Sequence, residues 1–429
     1  MIVFNSGRIH KKYSIVEALN TWIEVPQNSD FTIYNLPVGI FSTKIRPNPR
    51  VGIAIGEEIL DLARVAEIGL MQELEANKAA LYNPFLNDYI SLGKSFTTKV
   101  RKSAQQWLTD ENTKLKDYQN IFVHQSKATM HMPVRVGDYT DFYSSIEHAT
   151  NVGKMFRDPD NALLPNWRHI PVGYHGRSSS IVESGVPIRR PNGQTKPDDG
   201  PPVYGPSKRL DFELEMAFIV GKDTQLGEVV TTQQAEEHIF GMVLFNDWSA
   251  RDIQKWEYIP LGPFLGKNFG SSISPWVVPL EALEPFRVTG PQQEPEVLPY
   301  LKYQGQKNYD INLEVTIQPE DSEATTVSRS NFKYMYWNMA QQLAHHTING
   351  CNIKVGDMMA SGTISGKDES SYGSMLELSW AGSKPLNLSD GSKRAFIEDN
   401  DTVTMRGFAE KEGIRIGFGE VRTKILPAV

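Results

Sequence analysis

Apolar and polar residues follow two patterns in the first third of the chain, one typical of strands and one typical of helices. Short apolar runs at 51–55 and 59–62 flank a polar turn, a pattern typical of a β-hairpin. Apolar residues then recur at helical intervals over 65–74 and over about 86–108. These patterns predict a small first domain that combines a sheet or barrel with helices.

Beyond about residue 115 the pattern changes to short apolar runs separated by Gly and Pro, which predicts mostly β structure. The runs are 178–182, 212–220, 242–245, 276–278, 311–317, 375–380 and 402–405. One clear helix is predicted over about 331–348. The proline-rich stretch 185–206 predicts an irregular surface connection, either a passive crossover or a lid. The domain boundary is expected within 115–135.

Glu213 and Glu215 are the most informative residues for function. They lie in the apolar run 210–220, where strand alternation places both carboxylates on one face. That face continues as Ala217 and Ile219, and burying paired carboxylates is costly unless a cation neutralises them. A divalent metal would do so. The alternative is a solvated face opposite the core.

Two other segments each supply one carboxylate. One segment contains Asp141, and the other is an apolar run that ends at Asp247. Four carboxylates would offer oxygen ligands only, which favours calcium or magnesium. Zinc is the poorer fit, because the chain has one cysteine and no His-Glu-x-x-His motif. The pair His345-His346 is interpreted as a helix terminus, where histidine suits the helix dipole.

A general base and its partner are the next requirement for hydrolysis. His148, seven residues after Asp141, is the candidate base, and Glu377 in an apolar segment is a plausible partner for its imidazole. Arg251 and Lys267 could stabilise a developing enolate or could form surface salt bridges. The segment 362–367 lacks the spacing of a phosphate loop.

Composition excludes several classes of protein. The 429 residues are 40% hydrophobic, carry a net charge of −7, and contain no basic run, so no nucleic-acid partner is expected. No segment has the roughly 18 consecutive apolar residues of a membrane helix, so no membrane partner is expected. Without a visible secretory signal, a cytoplasmic location is expected, and the single cysteine is compatible with it.

Several long strings of the sequence closely resemble the fumarylacetoacetate hydrolase family. They are GDYTDFYSS at 137–145, HATNVG at 148–153, LPNW at 164–167, PVGYHGR at 171–177, NDWSARDIQ at 246–254 and ASGTISG at 360–366. The resemblance implies an SH3-like barrel over 1–130, with an extension of about 20 residues, and a β-sandwich roll over 131–429. It also implies a homodimer that hydrolyses the carbon–carbon bond of a β-diketo acid, 4-fumarylacetoacetate, in tyrosine and phenylalanine catabolism.

The resemblance also implies roles for individual residues. The residues that match the family's calcium ligands are Asp141, Glu213, Glu215 and Asp247. The residues that match a second, magnesium-type site are Asp247, Lys267, Gly270 and Ser271. In this chain the pair Gly270-Ser271 replaces the Gly-Thr pair of the family. His148 matches the general base and Glu377 the residue that orients it. Arg251, Gln254 and Lys267 match groups that stabilise the leaving carbanion. Those matching substrate contacts are Tyr143, Arg157, Tyr174, Gln254, Tyr258 and Thr363.

Two alternative functions remain at this stage. One is a related metal-dependent acylpyruvate hydrolase, decarboxylase or isomerase, although smaller relatives of that kind generally lack the first domain. The other is a non-catalytic calcium-binding protein, which would use the same carboxylates but would not need His148 with Glu377.

Overall fold

The computed structural model describes residues 19–118 and 120–429. The predicted N-terminal extension of about 20 residues lies almost entirely outside this part of the chain. With 24% helix and 30% strand, the predicted fold class, mainly β with some α, is confirmed. Among the described residues, no helix is both long and apolar enough to span a bilayer.

The first third of the chain contains five strands and five helices among the described residues. The strands are β1 (Val38–Thr43), β2 (Arg50–Ile55), β3 (Glu58–Asp61), β4 (Phe122–His124) and β5 (Ala128–His131). The helices are α1 (Leu62–Glu67), α2 (Gln72–Ala76), α3 (Lys78–Leu81), α4 (Asn87–Ser91) and α5 (Lys94–Thr109).

The remainder is richer in strands. They are β6 (Tyr139–Phe142), β7 (Gly173–Gly176), β8 (Ile181–Glu183), β9 (Ile188–Arg189), β10 (Asn192–Thr195), β11 (Val203–Pro206), β12 (Leu210–Asp211), β13 (Leu214–Val220), β14 (Ile239–Asp247), β15 (Ser249–Ala250), β16 (Ser271–Ile273), β17 (Trp276–Pro279), β18 (Arg287–Val288), β19 (Asn308–Tyr309), β20 (Asn312–Gln318), β21 (Thr325–Asn331), β22 (Met358–Ala360), β23 (Leu386–Asn387), β24 (Lys393–Arg394), β25 (Thr402–Lys411) and β26 (Ile414–Leu426). The helices are α6 (Ile146–Phe156), α7 (Arg251–Glu257), α8 (Met339–Thr347) and α9 (Met375–Leu378).

One large sheet joins the two parts of the chain. Its main path runs β4-β3-β2-β1-β17-β14-β13-β22-β6-β7. Strand β1 pairs with β17 through Val38 and Gly39, and with β5 from Ile40 onwards. A second sheet, in the order β21-β20-β25-β26-β9, packs beside it. The domain boundary near residue 130 stays a prediction.

The strand pair β13 and β14 separates two hydrophobic cores. On one face, Met216 and Leu244 join the core that faces the second sheet. On the other face, Ala217 and Phe245 join a core shared with strands β1 to β3. Because apolar packing covers both faces, polar side chains on these strands are excluded from water, and charged groups there need partners.

The predicted hairpin is confirmed as β2 and β3, but both predicted long helices in this part of the chain are interrupted. Gly69 separates α1 from α2 with φ of 67°, and Gly93 separates α4 from α5 with φ of 92°. This left-handed conformation ends a helix and is easily adopted by glycine. The helical periodicity continues across each break, which is why it predicted uninterrupted helices.

The prediction that 185–206 is irregular throughout is wrong. Strands β10 and β11 pair as a hairpin from Asn192↔Pro206 to Thr195↔Val203, and β9 pairs with β26. Most of the prolines lie in the connection between β10 and β11 or at strand ends, where no ladder hydrogen bond is required.

Three short segments also differ from prediction. The run 375–380 forms helix α9 rather than a strand, with Ser374 as its N-cap. Residues 178–180 form a 3-10 turn before β8. Helix α8 begins only at Met339, because a capping box of Asn338 and Gln341 sets its start. Short apolar runs do not distinguish a buried strand from a buried helix, since a run without polar residues at regular intervals shows neither periodicity.

Candidate active site

Strand register brings the predicted carboxylates to one face of the large sheet. Paired residues on neighbouring strands point to the same face, and one such row consists of Tyr174, Asp141, Ala360, Ala217 and Val243. Glu215 precedes Ala217 by two residues, and Asp247 follows Val243 by four, so alternation keeps both on that face. Glu213 lies between β12 and β13, and its carbonyl accepts the Asp247 N–H at 3.3 Å.

The carboxylates form one buried cluster. One oxygen from each of Asp141, Glu213, Glu215 and Asp247 lies within 4.8 Å of the others. Glu215 is fully buried, and the solvated-face alternative for Glu213 and Glu215 is therefore wrong. Burial, together with the charge of Asp247, raises the pKa of Asp141 well above its usual range. Burial and the charge of Asp141 raise the pKa of Glu215 in the same way.

Two cationic side chains pair with two of the four carboxylates, Glu213 and Asp247. Lys267 Nζ donates to Asp247 Oδ2 at 2.6 Å and also to Glu213 Oε2. Arg251 Nη2 donates to Glu213 Oε1 at 2.7 Å. Burial opposes ionisation of Glu213, but Arg251 and Lys267 hold its pKa far below the usual range. The surface salt-bridge alternative for Arg251 and Lys267 is wrong, since their side chains are only 11% and 7% exposed.

The other two carboxylates, Asp141 and Glu215, suit a hard divalent cation. Asp141 Oδ1 and Glu215 Oε1 are buried and have no hydrogen-bond partner among the described residues. Such oxygens are costly to bury unless a cation binds them. Since the converging ligands are carboxylate oxygens, the cluster suits Ca²⁺ or Mg²⁺. Metal binding is thus consistent with the residues present, but they do not specify the ion.

His148 and Glu377 meet beside the cluster. Helix α6 begins after Ser145, whose hydroxyl caps the His148 N–H at 3.2 Å and so places His148 in the first turn. His148 Nδ1 donates to Glu377 Oε2 at 2.7 Å. Both side chains are buried, and His148 Nε2 lies 3.9 Å from Glu213 Oε1. Burial opposes ionisation of Glu377, but His148 and other donors lower its pKa.

The second predicted metal site shares Asp247 with the first. Ser271 Oγ donates to Asp247 Oδ1 at 3.1 Å, and Lys267 reaches the other oxygen. Gly270 has a separate packing constraint, because an added Cβ would lie 2.7 Å from Ile188 Cδ1. A metal at this second site stays a prediction.

The predicted substrate contacts differ in their distance from the cluster. The Tyr143 ring lies 5.2 Å from the His148 ring, and Tyr174 Oη donates to Asp247 Oδ2 at 2.9 Å. Thr363 is buried next to Gly362, whose N–H donates to Glu215 Oε2 at 3.1 Å.

Three predicted contacts lie further out. Arg251 Nη1 reaches Gln254 Oε1 only at 3.5 Å. Arg157 donates to the carbonyl of Ala162, at 2.7 Å from Nη2. Tyr258 is half exposed. No hydrogen bond joins these last two side chains to the four carboxylates in the described structure.

Sequence reasoning missed Asp211 and three polar residues that surround Glu377. Asn151 Nδ2 donates to Glu377 Oε1 at 2.9 Å, and the hydroxyls of Ser365 and Ser374 donate to Oε2 at 2.8 and 2.9 Å. Asp211 lies on the same face of the alternating run as Glu213 and Glu215, and Asn151 lies one helical turn after His148. Both residues could therefore have been predicted from the sequence pattern. The two serines carried none.

Comparisons with known proteins identify the family. Residues 139–426 match the family model described as "Fumarylacetoacetate (FAA) hydrolase C-terminal", and residues 34–133 match "Fumarylacetoacetase N-terminal". The chain belongs to the fumarylacetoacetate hydrolase family.

Curated relatives in this family are similar over nearly the whole chain. The fumarylacetoacetase of Homo sapiens is 54% identical over 415 residues, covering 95% of this chain and 99% of the human protein. That of Dictyostelium discoideum is 52% identical over 420 residues, covering 96% of this chain and 98% of its own.

A solved structure supports the fold. The fumarylacetoacetate hydrolase from the psychrophilic Exiguobacterium antarcticum superposes with a TM-score of 0.53 at 17% identity, covering 92% of this chain and all of the other. At this identity the likeness concerns the fold alone.

Proposed function

We propose that this protein hydrolyses 4-fumarylacetoacetate to fumarate and acetoacetate. The main supporting observation is the buried His148–Glu377 pair, hydrogen-bonded at 2.7 Å, with His148 Nε2 directed to within 3.9 Å of the carboxylate cluster. A calcium-binding protein without activity would not need such a pair. The fumarylacetoacetases that are 52–54% identical to this chain support the choice of reaction.

His148 is proposed to be the general base. Glu377 accepts the Nδ1 hydrogen, so Nε2 carries the free lone pair and faces the cluster. His148 would remove a proton from water, and Glu377 would stabilise the imidazolium that forms. Because Asn151 and Ser374 also donate to Glu377, its carboxylate is held in one orientation.

The proposed bond changes balance without a further reactant. The water oxygen attacks the carbonyl carbon on the fumaroyl side, and the adjacent carbon–carbon bond breaks. Its electron pair leaves as the enolate of acetoacetate, which takes from the imidazolium the proton that came from water. The new carboxylic acid then loses the second water proton to solvent and becomes fumarate. Arg251, Gln254 and Lys267 would stabilise this anion, and Tyr143, Arg157, Tyr174, Tyr258 and Thr363 would contact the substrate.

Asp141, Glu213, Glu215 and Asp247 would hold a Ca²⁺ or Mg²⁺ ion. When bound, the ion would supply Lewis-acid charge to a β-diketone substrate. Asp247, Gly270 and Ser271 would hold the second, magnesium-type ion, and Lys267 would contribute its backbone oxygen, because its ammonium group has no lone pair. A homodimer, a cytoplasmic location and a place in tyrosine and phenylalanine catabolism complete the proposal.

The test is the ultraviolet absorbance of fumarylacetoacetate with purified protein, before and after chelation. Loss of the diketone band, abolished by chelator and restored by Ca²⁺ or Mg²⁺, is expected. No loss with folded, metal-loaded protein would contradict the proposal. Turnover of acylpyruvates instead would indicate the related hydrolase, whereas a calcium-dependent melting shift with no turnover of any diketone would indicate a binding protein.

A further inference from the structure

Asp211 is a fully buried carboxylate that contacts two parts of the site at once. Its Oδ2 accepts from Arg251 Nε at 2.7 Å and from the Leu376 N–H at 3.0 Å. Its Oδ1 accepts from the Met375 N–H at 2.6 Å. One side chain therefore joins the first residue of α7 to the first turn of α9.

Each of these contacts orients a group with a role in the proposed reaction. With Nε fixed by Asp211, the planar Arg251 guanidinium can place Nη2 on Glu213, at 2.7 Å. On the other side, Met375 and Leu376 immediately precede Glu377, which accepts from His148 Nδ1. A shift of this turn would move the carboxylate that orients the base.

We propose that Asp211 is a positioning residue for carbon–carbon bond hydrolysis, acting through Arg251 and through the α9 turn that carries Glu377. This inference rests on the proposed function. Asp211 itself makes no contact with the predicted substrate residues among the hydrogen bonds of the described chain. Its negative charge keeps the guanidinium and the two N–H groups in place, because each of its three partners is a donor.

The first variant is Asp211→Asn. An amide of the same size presents an NH₂ group to at least one of the three donors, so a hydrogen bond is lost and two donors repel. We expect kcat on fumarylacetoacetate to fall by about 10- to 100-fold with KM changed by less than about threefold, since the misplaced groups act mainly in the transition state.

Asp61→Asn is the matched control. Asp61 is also buried, accepts from Arg50 Nε at 2.7 Å, and accepts a backbone N–H at the start of a helix, from Arg64 at 3.2 Å. It lies on β3, away from the cluster. We expect Asp61→Asn to lower the melting temperature but to leave kcat and KM within about twofold of wild type, because its loss is purely structural.

A double-mutant cycle with Arg251→Lys tests the route of action. If Asp211 acts in part through Arg251, the Asp211→Asn change should lower kcat by a factor at least about threefold smaller when lysine already replaces the guanidinium, and the remaining loss reports the route through the α9 turn. Full additivity of the two losses would overturn that route. Equal kcat in Asp211→Asn and Asp61→Asn would overturn the proposal as a whole.

If the Asp211→Asn variant does not fold, Asp211→Glu tests the same proposal. It keeps the charge but displaces the carboxylate by one methylene, so a fall in kcat with KM retained is expected, and wild-type kcat would contradict the proposal. Wild-type protein is assayed alongside every variant. If wild type itself does not consume fumarylacetoacetate, the proposed function fails, a result distinct from active wild type with fully active Asp211 variants.

Discussion

His148 and Glu377 are 229 residues apart in the chain and share a buried hydrogen bond of 2.7 Å. Glu377 accepts from three further side chains, and both members of the pair are buried. The pair is thereby preorganised, and its preorganisation underlies the first two predictions.

Replacing His148 with alanine should abolish proton transfer while leaving the carboxylate cluster in place. A general base contributes roughly 10²- to 10⁴-fold to rate, so kcat should fall by that factor. The control is His124→Ala, because His124 lies on the surface with Ser126 and Glu57 as partners. Near-normal turnover by His148→Ala would dismiss His148 as the base, provided that calcium still raises the melting temperature of the variant.

Replacing Glu377 with glutamine should slow the reaction without removing the base. Glutamine can still accept from Nδ1 but no longer carries the charge that stabilises the imidazolium, and kcat should fall by about 10²-fold or more. Glu236→Gln is the control, since Glu236 pairs with Arg287 and Lys307 in a partly buried ion-pair cluster. A kcat for Glu377→Gln within twofold of the control would contradict the proposed role.

Replacing Glu215 with glutamine should have opposite effects on the protein with and without metal. Glu215 is buried and forms no salt bridge among the described residues, so the neutral amide should raise the melting temperature of chelated protein. The same change should reduce the stabilisation by calcium, which for wild type is about 2.7 kcal/mol at a concentration of 100 times Kd. Differential scanning fluorimetry with chelator and with Ca²⁺ measures both; an undiminished calcium shift in Glu215→Gln would contradict the ligand assignment.

His346, which is not part of the carboxylate cluster, should make folding stability depend on pH. Burial and the nearby His175 lower the pKa of His346 to about 4, and its Nδ1 has no hydrogen-bond partner among the described residues. The unfolded chain then binds the proton more readily between pH 6.5 and 4, so stability is lost as pH falls through this window. The loss should be at most about 3 kcal/mol.

Urea unfolding of calcium-loaded wild type and His346→Gln, at pH 7.5 and pH 5, isolates this contribution. The difference in unfolding free energy between the two proteins should shift against wild type at the lower pH. A difference that is the same at both pH values would contradict the prediction.

The sequence alone determined which residue types are available and where strands alternate. Glu213 and Glu215 share a face because side chains alternate along a strand, and their apolar neighbours already predicted burial. The need for a general base near Asp141 indicated His148 with Glu377, and the resemblance of long strings to a family implied the same two residues. Local periodicity failed at Gly69 and Gly93, because it does not register a single residue that reverses the sign of φ.

Only the tertiary structure decided which of these groups meet and with what charge. Strand register placed Asp141 beside Glu213 and Glu215, a relationship between segments about 70 residues apart that no local pattern contains. Packing gave Lys267 and Arg251 to Glu213, while Asp141 and Glu215 form no salt bridge among the described residues. Asp211 acquired its partners from α7 and α9 in the same way. Partners and pKa values depend on distances in space, and these are fixed only once the chain has folded.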